Sequence, residues 1–303
     1  MEGIAAARAS RSGESVRRLE GETNGEHGGE GRARDRRGVG HRRATSIGLA
    51  REAATVALLV RNADRGEQAL RDVRARVPEA KLELLECDLA SQESIRDASG
   101  RFLASHDRLD VLVNAAGVFV KEKELTVDGI ERTFATNYLA YFLLTNELLP
   151  LLRESAPARV VNVSSKYGRT TLDFADLQKL QTPYSYLKST PQTMLARVLF
   201  TQELAHRLDG SGVVANTLHP GLVAKTRLLN DTRGPFKLIT DTFGSTPEMA
   251  ADTVLWLATA PETATITGKM FSKRKEISTP GQGSDDAVRK RLWEESEKLT
   301  RMT

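Results

Sequence analysis

Three short motifs hold residues whose types and positions could carry chemistry. The tetrapeptide Asn-Ala-Ala-Gly at residues 114–117 ends one apolar run, and the pair Ser164-Ser165 ends a later one. Between them, a predicted helix carries Asn137 on its apolar face. Small residues after a strand let a flat ring or a ribose approach the backbone closely, and a serine hydroxyl can bind a carbonyl oxygen on which negative charge develops.

Each of these groups also has a purely structural interpretation. The tetrapeptide could be an ordinary tight turn, and one serine could cap the turn that follows its strand. Asn137 could be a structural bracket, because a buried amide needs hydrogen-bond partners. We favour a functional role for Asn137, since asparagine is a poor residue for a helix interior.

The surrounding chain alternates between apolar strands and amphipathic helices. This alternation predicts right-handed βαβ units and therefore an α/β, Rossmann-like, doubly wound parallel sheet, in which ligands bind beyond the carboxyl ends of the strands. The predicted strands cover residues 54–60, 81–87, 111–113, 160–163 and 213–218, and the predicted helices include 63–77, 92–103, 249–258 and 286–299. A further helix is expected to begin at Asp128, which with Glu131 resembles a capping box.

We expect residues 1–43 to be a disordered tail and residues 44–303 to form a single domain. The tail is rich in Gly, Arg and Glu and has few apolar residues, so it cannot bury enough surface to offset its ordering entropy. Ten arginines against seven acidic residues give the tail +3 of the chain's net charge of +4. The remainder is nearly neutral, so no nucleic-acid partner is predicted.

The cysteine count and the lengths of the apolar runs indicate the cellular compartment in which the protein is expected. The single cysteine, Cys87, excludes an intrachain disulfide, fits a reducing compartment and is expected to be a buried structural thiol. No apolar run reaches the roughly 18 residues that a membrane span needs, and no apolar signal-peptide core follows Met1. We therefore expect a cytoplasmic protein without an integral membrane span, and no metal site is predicted.

In their order along the chain, these motifs resemble those of the short-chain dehydrogenase/reductase family, particularly its retinol-dehydrogenase-like members. Further matches are Asp88-Leu89 after a strand, His219-Pro220-Gly221, and a segment with Gly268-Lys269-Met270-Phe271. The resemblance covers roughly residues 45–300. It implies an NAD(P)-dependent oxidoreductase that interconverts a carbonyl and an alcohol.

The resemblance implies a role for each matching residue. Asp88 would contact the adenine edge, Asn137 would hold a relay water, and Ser165 would orient the substrate carbonyl. Arg61, directly after a predicted strand, could bind the 2′-phosphate of NADP, with a solvated loop charge as the alternative. NADP(H) is therefore the preferred cofactor and NAD(H) the second choice. The residues implied to line the cofactor are Gly48, Arg61, Asp88, Leu89, Asn114, Ala115, Ala116, Gly117, Pro220 and Gly221.

The segment that opens the family pattern matches poorly. The pattern consists of a buried strand, the turn T-G-x-x-x-G-I-G and a helix whose start holds the pyrophosphate, but at residues 44–50 only Ile47-Gly48 match clearly. Residues 38–43 contain one β-branched residue and two adjacent arginines, which excludes a buried strand there. The first strand, the Gly-rich turn and most of the first helix are therefore predicted to be missing or truncated.

Two registers compete for the family's Tyr-x-x-x-Lys motif, in which tyrosine transfers a proton and lysine lowers its pKa. Tyr184 and Lys188 match literally, but the downstream residues 195–205 place Thr190 and Met194 at these positions when no gap is allowed. We favour the ungapped register, because Pro191 is tolerated in the first turn of a helix and would break a helix already under way from Tyr184. A threonine hydroxyl is too weak an acid to replace tyrosine.

The leading hypothesis is an NADP(H)-dependent oxidoreductase acting on a small apolar carbonyl or alcohol, retinoid-like or other. The alternative is a catalytically defective homologue, or a truncated gene product, with weak or no cofactor binding. The family's specificity segment corresponds to residues 222–246, whose apolar side chains favour a greasy substrate without identifying it. Family members often form homo-oligomers, and the sequence does not fix the state here.

Overall fold

The computed structural model describes residues 40–221 and 246–302, and the backbone of residues 7–9. Its strands and helices alternate as predicted, with bounds that differ from the predicted ones by a few residues. The first elements are β1 (Ala7–Ala9), α1 (His41–Arg51), β2 (Thr55–Val60), α2 (Ala63–Arg74), β3 (Leu82–Glu86), α3 (Gln92–Ser105) and β4 (Val111–Asn114).

The second half begins with a helix that is interrupted by a wide turn. It comprises α4 (Arg132–Phe134), a π-helical turn (Ala135–Leu139) and α5 (Ala140–Glu154). No helix of the described residues is long and apolar enough to cross a membrane. The elements that follow are β5 (Ala158–Val163), α6 (Tyr186–Arg207), β6 (Val213–Leu218), α7 (Pro247–Thr259), β7 (Met270–Ser272), β8 (Lys275–Glu276) and α8 (Asp286–Thr300).

The strands form one sheet in the order β3-β2-β1-β4-β5-β6-β7-β8. The β2–β3 pair is parallel, and so is the run from β4 to β7. Alternate residues of β2 enter different cores: Leu58 packs with residues of α1, α2 and α7 on one face, and Leu59 packs with residues of α3, α5, α6 and α8 on the other. Helices on both faces of a mostly parallel sheet confirm the predicted doubly wound α/β fold.

The centre of the sheet is completed by a short strand from the amino-terminal tail. β1 lies between β2 and β4 and is antiparallel to both, with Ala7 opposite Ala57 and Leu112. Without it, β2 and β4 would leave rows of N–H and C=O groups unpaired in the middle of the sheet. A truncated first strand was predicted, but the disorder predicted for residues 1–43 is wrong at residues 7–9 and 41–43. The rest of that tail lies outside the described residues.

The first helix is present, contrary to the sequence prediction. Residues 41–43, which we assigned to the tail, form the first turn of α1. Gly48 lies inside this helix and faces α7, where an added Cβ would come within 2.3 Å of a Leu255 methyl carbon. This glycine lets two helices pack closely, and its role at the cofactor stays a prediction.

The capping box predicted at Asp128 is also wrong. The buried Glu131 is itself the N-cap of α4, and its two carboxylate oxygens accept hydrogen bonds from the Thr133 and Phe134 amides, each at 2.8 Å. Asp128 instead accepts a 2.9 Å bond from the Gln92 amide at the start of α3. Sequence spacing shows that an acidic residue can cap a helix, but only the fold decides which helix it reaches.

Candidate active site

The carboxyl ends of β4, β5 and β6 bring the predicted site residues to one edge of the sheet. The strands are parallel and in register, with Asn114 opposite Asn162 and Val163 opposite Leu218. Residues 114–117, the pair Ser164-Ser165 and His219-Pro220-Gly221 therefore emerge at the same level. This is the edge at which doubly wound sheets bind ligands.

A small cleft opens at this edge beside the ends of β2 and β3. Asp88 is fixed at its wall, because its Oδ1 accepts a 3.0 Å hydrogen bond from the Ala90 amide. Burial raises the pKa of the neighbouring Cys87 thiol to about 12, so this cysteine stays protonated. Five of the residues predicted to bind a cofactor meet in the lining, which consists of Arg61, Cys87, Asp88, Leu89, Ala90, Ala116, Gly117, Val118, Arg132 and Thr136.

The Asn114 side chain does not line this cleft. It is buried, and its Nδ2 donates to Asn162 Oδ1 at 2.9 Å and to Thr145 Oγ1 at 3.0 Å. Asn162 continues the chain of hydrogen bonds to Thr201 Oγ1 at 2.8 Å. The network ties β4 and β5 to α5 and α6, and Ala115 likewise packs against the apolar core. Asn114 and Ala115 thus stabilise this edge of the sheet from its buried side.

Asn137 has the structural role that we weighed against a functional one, because its buried side chain holds two segments of the chain together. It is fully buried in the π-helical turn, where its Oδ1 accepts from the Val118 amide at 2.6 Å and its Nδ2 donates to Val118 O at 3.0 Å. The side chain thereby fixes the loop that follows Gly117. The relay water implied by the family resemblance stays a prediction.

Sequence reasoning missed Arg197, which lies beneath the residue 114–117 turn. Its side chain is 3% exposed, and its guanidinium donates to the carbonyl oxygens of Val163 and Ala116, each at 2.8 Å, and to that of Asn137. It also stacks 4.2 Å from the centre of the Tyr141 ring. No carboxylate among the described residues pairs with it. Its presence in the otherwise apolar segment Leu-Ala-Arg-Val-Leu was a signal that could have found it.

The two serines that end β5 have different partners. Ser164 donates from its Oγ to Met194 O at 2.9 Å, so it is tied to α6. Ser165, the serine predicted to orient a carbonyl, is half-buried, and its Oγ lies 3.2 Å from His219 Nδ1. His219 was quoted only as part of a motif, and the sequence offered no sign of this contact.

The structure places Met194 beside Ser164 and gives the Tyr184 hydroxyl other partners. Tyr184 precedes α6 and donates to Val120 O at 2.9 Å, while Thr133 Oγ1 lies 2.8 Å from the same hydroxyl. Burial raises the pKa of Tyr184. No hydrogen bond joins Tyr184 to either serine, although all three residues belong to the described part of the chain.

Lys188 and Thr190, which the two registers assign to the Tyr-x-x-x-Lys motif, lie on α6. Lys188 is exposed there, and the Thr190 hydroxyl is buried without a hydrogen-bond partner. The argument from Pro191 was wrong in its premise, because α6 begins at Tyr186 and contains Pro191 in its interior. A helix tolerates that proline at the cost of one backbone hydrogen bond. The assignment of the proton donor to either register stays a prediction.

Pro220 and Gly221 end the part of the chain that is described here. The His219 amide donates to Phe271 O at 2.8 Å, which fixes the start of this turn, and Gly221 adopts a φ of 84° that favours glycine. The specificity segment predicted at residues 222–246 lies, apart from Thr246, outside the described residues.

Comparison with known protein families gives a consistent result. A sequence model of the family described as short chain dehydrogenase matches residues 35–235. Human retinol dehydrogenase 13 is 38% identical over 275 residues, which cover 86% of this chain and 81% of that protein. Human retinol dehydrogenase 14 is 39% identical over 277 residues, covering 84% of this chain and 81% of that protein.

Solved structures share the fold. An uncharacterised protein from Mycobacterium paratuberculosis has a TM-score of 0.70 and 31% identity, covering 87% of this chain and 90% of that one. An NADP active-site complex of RhlG from Pseudomonas aeruginosa has a TM-score of 0.59 and 25% identity, covering 77% and 90%.

Proposed function

Because this chain belongs to the short-chain dehydrogenase family, and is therefore an NAD(P)-dependent oxidoreductase acting on CH–OH and C=O groups, we propose that it interconverts an apolar alcohol and its carbonyl with NADP(H) as the preferred cofactor. The observation that carries this proposal is the cleft that joins Arg61 and Asp88 to Ala116-Gly117. It has the small residues, the acidic side chain and the cation that an adenosine with a 2′-phosphate requires.

The lining of the cleft fits the nucleoside half of such a cofactor. Thr136 is 7% exposed, and its hydroxyl has no hydrogen-bond partner although the residue lines the cleft. A buried hydroxyl without a partner is costly, and a bound ribose or base would relieve that cost. Ala116 and Gly117 are small residues, which let a ligand approach the backbone beside Thr136 closely. When bound, the nicotinamide would donate or accept the hydride of the reaction.

The start of α1 supports binding of the pyrophosphate. This helix leads through a short turn into the start of β2, so it begins towards the edge at which the parallel strands end. The Tyr141 hydroxyl donates to Ala116 O at 2.7 Å at that edge. The N-cap of α1, Gly40, has no side chain to satisfy the first amides, and such a helix start attracts phosphate.

Ser165 is the residue suited to hold the substrate oxygen. It is half-buried at the same edge, and a hydroxyl placed there stabilises the negative charge that grows on a carbonyl oxygen during reduction. An apolar substrate is supported by the retinol dehydrogenases that this chain resembles. Phe119, in the loop after Gly117, packs edge-on against Tyr186 with ring centres 5.2 Å apart and offers an apolar rim.

Titration with NADPH and NADH tests the cofactor proposal. Replacing Arg61 by alanine removes a charge-assisted contact worth about 1.5–3 kcal/mol, so NADPH should bind about 10- to 100-fold more weakly while NADH binding changes little. Arg65→Ala on the exposed side of α2 is the matched control and should bind both cofactors normally. Equal losses for both cofactors in Arg61→Ala would refute the NADP preference, and no binding by the wild-type chain would favour the catalytically defective homologue.

A panel of aldehydes and ketones that includes retinal tests the substrate class. Oxidation of NADPH that rises with the apolar length of the substrate would support the proposal, and preference for short polar carbonyls would refute it. We also propose a cytoplasmic location, supported by the single buried Cys87. Imaging of the tagged full-length chain in cells tests that location directly.

A further inference from the structure

Ser165 and His219 form a hydrogen-bonded pair at the candidate active site. Their side chains meet, with 3.2 Å between Ser165 Oγ and His219 Nδ1, because β5 and β6 are parallel neighbours that end at the same level. Backbone bonds hold the chain at this point: the amide of Ser164, the residue before Ser165, donates to Leu218 O, and the His219 amide donates to Phe271 O, each at 2.8 Å. The pair therefore lies just beyond the ends of β5 and β6, where these bonds anchor both segments to the sheet.

Three tyrosine hydroxyls that could carry a proton are engaged elsewhere. Tyr184 is bonded to Val120 O and Thr133, Tyr141 to Ala116 O at 2.7 Å, and Tyr138 to Ser296 at 2.6 Å. Burial raises the pKa of all three tyrosines, which makes each a poorer proton donor at neutral pH. The imidazole in contact with Ser165 is a better candidate for proton transfer than these three hydroxyls.

The surroundings of His219 favour its neutral form. Burial lowers its pKa below the ordinary 6.5, and the positive charge of Lys166 lowers it further. Lys166 is the charged side chain that acts on it within the described part of the chain. At pH 7 the imidazole is therefore uncharged and has one nitrogen able to accept a proton. That state suits the removal of a proton from an alcohol.

We infer that His219 accepts, through Ser165, the proton that a bound alcohol loses on oxidation, an inference that rests on the proposed function. The alcohol hydroxyl gives its proton to Ser165 Oγ while the Ser165 proton moves to His219 Nδ1. When bound, the oxidised nicotinamide would take the carbon–hydrogen electron pair as hydride while the C=O bond forms, and the imidazolium of His219 would release its proton to solvent. His219 acts through Ser165 and positions its hydroxyl.

NMR of the cofactor-free chain with labelled histidine gives a readout that needs no activity. If Ser165 donates to His219, then Nδ1 is unprotonated, the Nε2–H tautomer dominates, and the pKa lies below 6.5. Ser165→Ala should change the tautomer balance of His219 and leave that of the exposed His206 as it was. An Nδ1–H tautomer in the wild-type chain would overturn the inference.

The pH profile of alcohol oxidation gives the second readout. Wild-type kcat/KM should fall about tenfold per pH unit below the pKa of His219, and His219→Gln should lose about 100- to 10,000-fold together with this pH limb. His206→Gln is the matched control. If His219→Gln keeps the fall of kcat/KM at low pH, or if only Tyr184→Phe loses it, the inference is refuted. The proposed function is not affected by either result. A wild-type chain that binds cofactor but oxidises no alcohol refutes both.

Discussion

Replacing Arg197 by methionine should destabilise the protein more than any change of an exposed arginine. The guanidinium donates to Val163 O, Ala116 O and Asn137 O. Ala116 O keeps a partner in the variant, since Tyr141 also donates to it at 2.7 Å. The other two oxygens lose a charged donor, at about 1–3 kcal/mol each.

Two further effects set the size of the loss. The cation that stacks on Tyr141 contributes about 1–2 kcal/mol when desolvated, which adds to the cost of removing it. Burial lowers the pKa of Arg197, which shows that holding the charge there is unfavourable, and its removal relieves that penalty. We expect a net loss of about 3 kcal/mol, a large fraction of the 5–15 kcal/mol typical of a domain.

Urea unfolding followed by far-UV circular dichroism measures this loss as a fall in the midpoint at constant slope. Arg197→Lys keeps the charge without the planar fork and should lose about half as much free energy of unfolding. Arg153→Met, at an exposed position on α5, is the control and should stay within about 0.5 kcal/mol of wild type. An Arg197→Met variant as stable as that control would refute the assignment of Arg197 as the cation that secures this edge.

Two other predictions concern the amino-terminal elements. Burial, and then the charge of Arg42, lower the pKa of His41 to about 4 from 6.5, so the unfolded chain binds the proton more readily between these values and stability falls as the pH drops from 6.5 to 4. This fall amounts to about 3 kcal/mol from His41, and urea midpoints at several pH values should show a flatter profile in His41→Gln; an unchanged profile would contradict the assignment. Deleting residues 1–10 removes β1 from between β2 and β4, so hydrogen exchange should accelerate at backbone amides of residues 55–57 and 111–112. Unaltered exchange at those amides would show that β1 contributes no pairing in solution.

Much of the fold followed from local pattern. The runs that became β2, β3 and β6 were bounded to within about one residue. β2 is the clearest of them, because a strand buried on both faces is a nearly continuous apolar segment. The side chains of Asn62 and Ser91 cap α2 and α3 by accepting hydrogen bonds from backbone amides three residues later. Such local contacts depend on sequence spacing alone. The same reasoning brought Arg61, Asp88 and Gly117 to one edge.

The errors arose where distant segments meet. The helix α1 (His41–Arg51) is stabilised by packing on α7, and Gly48 allows that close contact. The spacing of residues within α1 does not predict a contact with a helix so far along the chain. Asp128 caps a helix 36 residues earlier in the chain, so its pairing with Glu131 was a coincidence of spacing. The tail, which has few apolar residues, still contributes a strand, since backbone pairing in a sheet needs no large apolar side chain.

The sequence by itself determined the class of fold, the family and the edge of the sheet where chemistry takes place, because these depend on apolar periodicity and on residues that directly follow strands. Only the tertiary structure decided what those residues do there. The side chains of Asn114 and Asn137 are buried and hydrogen-bond neighbouring segments. Arg197 donates to the backbone of the residue 114–117 turn, and His219 contacts Ser165. Such contacts join residues about 20 to 80 positions apart, and their geometry depends on how parallel strands align their ends, which no local pattern encodes.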